Sequence, residues 1–110
     1  MQNNILTEAD FNEFILSNSA AVVYFSTPQC NVCKVLKPKL IELLDKKFPL
    51  MKFAYVDCNI AKELAAQKHV FTVPTILFFI DSKELFRKSR NIGLSEIEKD
   101  ISRPYNLFFG

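Results

Sequence analysis

Residues 25–34, FSTPQCNVCK, decide how this chain is read. An apolar run, Val22 to Phe25, breaks at Ser26-Thr27-Pro28, and Cys30 and Cys33 follow with two residues between them. Beyond the pair, Val32, Val35, Leu36, Leu40, Leu43 and Leu44 recur at the spacing of one helix face. The pattern predicts a strand over 20–26, a turn, and a helix over 31–47, with both sulfurs at the junction. Continuous apolarity in the strand implies cover on both faces, as in a parallel sheet under helices. Pro38 lies inside the helical pattern and removes one amide donor, so a kink is expected about one turn after Cys33.

Working outward, residues 3–6 read as a short first strand. Thr7 reads as the N-cap of a helix that carries Phe11, Phe14 and Ile15 on one face and ends at Asn18-Ser19. Phe48-Pro49 stops the second helix, and residues 51–57, MKFAYVD, form the next strand. Asn59 is expected to cap a short helix over 60–68. Residues 75–80 are strongly apolar, residues 81–83 turn, and 85–89 return as an antiparallel strand. After Gly93, Ser95 and Glu98 have the spacing of a capping box. The last helix is expected to end near Arg103, before Pro104. Parallel strand–helix–strand units followed by a hairpin make an α/β domain, a central mixed sheet with helices on both faces.

The totals narrow the function classes. A chain of 110 residues makes one domain and supports one core without metals or bridges. A net charge of +2 with no basic block argues against nucleic acid or an anionic membrane surface. No apolar run approaches the ~20 residues of a membrane helix. The amino terminus has no charged region followed by an apolar stretch, so no secretion signal is read and a cytoplasmic place is expected. Three cysteines in such a setting point to redox or metal chemistry rather than a structural disulfide framework.

The assembled pattern resembles the thioredoxin family over about residues 5–102. The resemblance rests on Cys30-x-x-Cys33 at a strand-to-helix junction, Lys34 after it, and Pro38 five residues past the second cysteine. Val56-Asp57 ending a strand, Val73-Pro74-Thr75 opening another, and Gly93 before the last helix complete it. The family implies a thioredoxin fold and reduction of disulfides in partner proteins by a dithiol. It implies a thioredoxin reductase as a partner, no cofactor, and a cis Val73–Pro74 bond facing the cysteines. Several positions depart from the family pattern. Asn31-Val32 replaces Gly-Pro, Gln29 replaces a tryptophan, and Ser26 replaces an aromatic. Tyr24 stands where the family has a buried acid, and Tyr55 where a lysine pairs with it.

The chemistry of the site follows from thiolate reactivity. The attacking sulfur of disulfide exchange must be exposed and have a lowered pKa. Cys30, at the amino end of a helix, meets free amides and the positive end of the dipole. Cys33 lies one turn on along the same face, placed to resolve a mixed disulfide. Cys30 is therefore read as nucleophile and Cys33 as resolving thiol. The Val73 backbone before Pro74, with Gln29, is read as substrate-binding by addition of a substrate strand. Tyr24, Tyr55, Asn31 and Val32 are read as tuning residues. A phenol cannot act as a base near neutrality, so resolution by Cys33 is expected to be slow, unless Tyr24 serves only packing. The extra amide of Val32 is expected to stabilise the Cys30 thiolate and make the pair more oxidising.

Other readings stay open. Cys58 is a small buried residue or a regulatory thiol. Cys30, Cys33, Cys58 and His69 have the stoichiometry of a zinc site, although a strand-end Cys58 falls off the face of Cys30, and no metal is expected. A binding module that keeps the fold without turnover, or a redox sensor, is a further alternative. The lysines at 34, 37, 39, 46 and 47 read as a solvated helix face. The apolar tail 104–110 either folds back or meets another chain; a monomer is expected.

Overall fold

Strand β2 (Ala20–Ser26) is buried at all seven residues, and the other elements are arranged around it. The computed structural model describes residues 3–90 and 92–110. Strand β3 (Met51–Asp57) runs parallel to β2, and β4 (Thr75–Ile80) runs antiparallel on its other side. The edges are β1 (Asn3–Asn4), parallel to β3, and β5 (Lys83–Ser89), antiparallel to β4. The order is β1-β3-β2-β4-β5. Helix α1 (Glu8–Ser17) precedes β2, α2 (Asn31–Lys47) links β2 to β3, α3 (Lys62–Gln67) links β3 to β4, and α4 (Leu94–Phe109) closes the chain.

Alternation along β2 divides the core in two. Ala20, Val22 and Tyr24 point toward Leu36, Leu40 and Leu44 of α2 and Ile97 and Ile101 of α4. Ala21, Val23 and Phe25 point toward Phe11, Phe14 and Ile15 of α1 and Leu64 and Ala65 of α3. This is the mixed sheet with helices on both faces that the sequence predicts. Thr7 caps α1 as expected, its Oγ1 accepting the Asp10 amide at 3.1 Å.

Element ends differ from the sequence reading in several places. Strand β1 is two residues long, and Ile5 beyond it is buried, its amide donating to the Tyr55 carbonyl. Helix α3 starts at Lys62, because the Asp57 carboxylate accepts the Asn59 amide and holds residues 57–59 in a turn, so Asn59 is no N-cap. Asp81 and Ser82 both have positive φ, making a two-residue hairpin turn, so β5 begins at Lys83 rather than at 85. Helix α4 starts at Leu94 with extended Gly93 as its cap, which places Ser95 inside the first turn and leaves the capping box unformed.

That helix also continues through Pro104 to Phe109 instead of ending near Arg103. A helix-interior proline costs ~3 kcal/mol. Buried Tyr105 offsets it: its ring packs edge-on to Phe48 at 5.1 Å, and its hydroxyl accepts the Leu50 amide at 3.1 Å. Phe109 packs on Tyr105 at 4.7 Å, so this part of the tail folds back on the domain, while Leu107 and Phe108 face outward. Helix α2 likewise runs through Pro38, held by buried Leu36, Leu40 and Leu44 at ~1.5–3 kcal/mol each.

Candidate active site

Cys30 is the N-cap of α2, placed there by the Ser26-Thr27-Pro28 break; its own amide donates to the Thr27 carbonyl. The first helical hydrogen bond runs from the Lys34 amide to the Cys30 carbonyl at 3.2 Å. Cys30 and Cys33 are joined as a disulfide with their Cα atoms 5.2 Å apart. The two residues differ sharply in access. Cys33 is 1 % exposed, whereas Cys30 is half-buried.

The Cys33 amide donates to the Cys30 sulfur at 3.2 Å. This is the geometry of a helix N-cap, in which a side-chain acceptor takes up an orphan amide of the first turn. The same donor would stabilise negative charge on that sulfur. Among the described residues the amide bonded there is that of Cys33, not of Val32. Position 33 offers its amide whatever stands at 31 and 32, so the expected special contribution of the Val32 amide finds no support. Val32 instead presents its side chain to solvent.

Beneath the pair, Tyr24 is fully buried and its hydroxyl donates to the Cys33 carbonyl at 2.9 Å. Burial, and secondarily the neighbouring Tyr55, push its pKa above the ordinary phenol value. Tyr55 stacks on Tyr24 with ring centres 6.4 Å apart. Lys37 Nζ lies 4.2 Å above the Tyr55 ring, and partial burial lowers its pKa. Lys37 is thus no member of a freely solvated lysine face. Its signal in the sequence was its place four residues after Cys33, on the same helix face.

The Val73–Pro74 bond is cis, as expected; Pro74 is buried and Val73 half-buried. Gln29 is exposed, and its Oε1 accepts from the Asn59 side chain at 2.8 Å, tying the turn before α2 to the one after β3. Arg87 on β5 donates to the Lys68 and His69 carbonyls while its guanidinium forks onto Glu84. It thereby holds the end of α3, from which the 70–74 loop departs. No local pattern marks Asn59 or Arg87, because their partners lie 30 and 18–19 residues away.

Two grooves open near the start of α2. One, of about 500 Å³, starts at Asn31 and Val32 and runs past Val35 to Ile92 and Leu94. The other, of about 330 Å³, lies between Thr27, Cys58, Phe71 and Val73. Among the described residues no group of three or more His, Cys, Asp or Glu side chains is placed to hold a metal ion. The rival zinc set is therefore not assembled, and Cys30 and Cys33 are bonded to each other. His69 is exposed, as read from the sequence.

The thioredoxin family model matches residues 2–103. The chain belongs to the thioredoxin family. It is 35% identical over 97 residues to the thioredoxin-like protein YdfQ of Bacillus subtilis (strain 168), covering 88% of this chain and 86% of that one. It is 39% identical over 82 residues to protein disulfide-isomerase 1 of Caenorhabditis elegans; this is 72% of the present chain but only 17% of that longer protein. The X-ray structure of Fasciola hepatica thioredoxin superposes with a TM-score of 0.80 at 32% identity, over 92% of this chain and 97% of that one. Family, fold and the Cys30–Cys33 disulfide together support enzymatic activity as a thiol-disulfide oxidoreductase. Where the resemblance leads to the expectation of an acid paired with a lysine, this site has the Tyr24–Tyr55 pair with Lys37 over Tyr55.

Proposed function

We propose that this thioredoxin-family protein reduces disulfides in partner proteins, with Cys30 as nucleophile and Cys33 as resolving thiol. The observation that carries the reading is the difference in access between the two cysteines, together with the Cys33 amide bonded to the Cys30 sulfur. The Cys30 thiolate attacks one sulfur of the substrate disulfide and releases the other as a thiolate, which takes a proton. Cys33 then loses its proton and attacks Cys30, forming the Cys30–Cys33 disulfide and releasing the second substrate thiolate. Two electrons pass to the substrate, and a thioredoxin reductase is the proposed source that restores the dithiol. Val73, Pro74 and Gln29 are the proposed contacts for an extended substrate segment. Both sulfurs come from one chain, which suits a monomer. Among the described residues no helix is long and apolar enough to cross a membrane, and the cytoplasm is the proposed place of action.

Trapping tests the assignment. Cys33→Ser is expected to accumulate a mixed disulfide with reduced-and-reoxidised insulin or a model disulfide, seen as a mass adduct on Cys30, whereas Cys30→Ser forms none there and reduces no insulin. Insulin reduction that survives in Cys30→Ser would refute the reading. The direction of net flow is read from the potential of the pair. A value near the ~−270 mV of thioredoxin supports reduction, whereas one near the ~−180 mV of protein disulfide isomerase would make oxidation or isomerisation the main activity.

A further inference from the structure

We propose that Tyr24 is a positioning residue of the resolving step: it ties the Cys33 backbone to the sheet and leaves the Cys33 proton to solvent base. The inference rests on the reading above, in which Cys33 resolves a mixed disulfide on Cys30. Its geometry is local and complete. Tyr24 projects from the centre of β2, buried on all sides, and its hydroxyl donates to the Cys33 carbonyl. In an α-helix that carbonyl also faces the amide of the residue four positions on, here Lys37. One residue later Pro38 has no amide to offer the Lys34 carbonyl, so the carbonyl next to the tied one lacks its helical donor. The ring that carries the hydroxyl is held between Phe53 at 5.8 Å and Tyr55 at 6.4 Å, and Lys37 closes the stack over Tyr55.

The same geometry removes a base. The phenol donates its proton to a carbonyl, and burial makes it harder still to ionise. The other polar groups on the elements around Cys33 do not replace it. On α2 they are Lys34, exposed, and Lys37, over Tyr55. On β3 they are Tyr55 and Asp57, whose carboxylate accepts the Asn59 amide. On β4, Thr75 donates to the Thr72 carbonyl and Ile76 is apolar. On α4, Ile97 and Ile101 face the core. The proton lost when Cys33 attacks therefore leaves to hydroxide or buffer, and the departing substrate thiolate regains one from water.

A chromogenic aryl disulfide separates the two steps in stopped flow, because its first arylthiolate reports attack and its second reports resolution. The second phase is independent of reagent concentration. Measurements use the Cys58→Ser background, which silences the third thiol. Resolution is expected to rise about tenfold per pH unit between pH 6 and pH 8, following the thiolate fraction of Cys33. Tyr24→Phe, which keeps the ring, is expected to slow the second phase by about threefold to tenfold at every pH with the slope unchanged and the first phase preserved. Tyr24→Asp is expected to raise the rate at pH 6 by about tenfold and flatten the profile. A wild-type profile flat from pH 6 to pH 8, or a second phase in Tyr24→Phe equal to wild type throughout, overturns the proposal. If Cys33→Ser still shows two releases, the reading of Cys33 itself fails instead. Thermal melts of each variant show whether Tyr24→Asp is folded; the wild-type slope and Tyr24→Phe decide the matter without it.

Discussion

Cys30 and Cys58 are both half-buried, yet their surroundings treat a sulfur charge in opposite ways. Cys30 accepts an amide at a helix start. Cys58 follows β3, packs against the core shared by α1 and α3, and sits beside Asp57; burial first and that carboxylate second push its thiol up to about 11, against a weaker opposing hydrogen-bond effect of the Ser26 backbone on the thiol. Relative to the ordinary 9.0, this leaves ~100-fold less thiolate at neutral pH. Iodoacetamide at pH 7 is thus expected to modify Cys30 of the reduced protein at least tenfold faster than Cys58, as read by peptide mass spectrometry. Equal labelling would contradict the assignment. The types and spacing of Cys30 and Cys33 were legible because helix-end chemistry and the junction are local, whereas Pro74 was marked only by the family resemblance. Tyr24 was visible as a departure, but its partner was not, since the bond to Cys33 crosses from a strand to a helix.

At the level of elements, caps and prolines mark where local rules meet tertiary packing. Thr7 capped α1 as its sequence requires, because the amide it accepts, that of Asp10, lies only three residues on. Ser95 lost its expected place because Gly93 already leads the chain into α4, and Asn59 lost its place to the Asp57 turn. Pro104 was expected to stop α4, but it was outweighed by Tyr105 and Phe109 packing on Phe48. Two substitutions separate the contributions. Tyr105→Phe is expected to lower stability by ~1 kcal/mol, the net worth of its bond to the Leu50 amide. Tyr105→Ala is expected to lower it by ~3 kcal/mol or more by leaving a cavity against Phe48. Urea denaturation measures both, and an unchanged midpoint in Tyr105→Ala would show that the end of α4 contributes nothing.

For the molecule as a whole, stability should fall at alkaline pH. Cys58 and Tyr24 both have folded-state pKa values raised above their ordinary 9.0 and 10.0. The unfolded chain therefore loses these protons first. Stability from them is fully present below about pH 9 and declines as pH rises toward 11. In the oxidised protein, where Cys30 and Cys33 do not titrate, the melting temperature is expected to drop between pH 9 and pH 11, and to drop less in Cys58→Ala with Tyr24→Phe. An equal drop in that double variant would show that other groups dominate. The sequence by itself determined the order of helices and strands, the two-faced burial of β2 and the place of the cysteine pair, because periodicity, turn residues and helix-end electrostatics act over a few positions. Tertiary structure alone decided that α4 continues past Pro104, what the Tyr24 hydroxyl holds and how deeply Cys33 is shielded. Each of these depends on groups brought together across the sheet, with no signature within reach of a local window. FSTPQCNVCK thus places two sulfurs at a helix start, and the tyrosine beneath them, reached only through the fold, sets how the second is held.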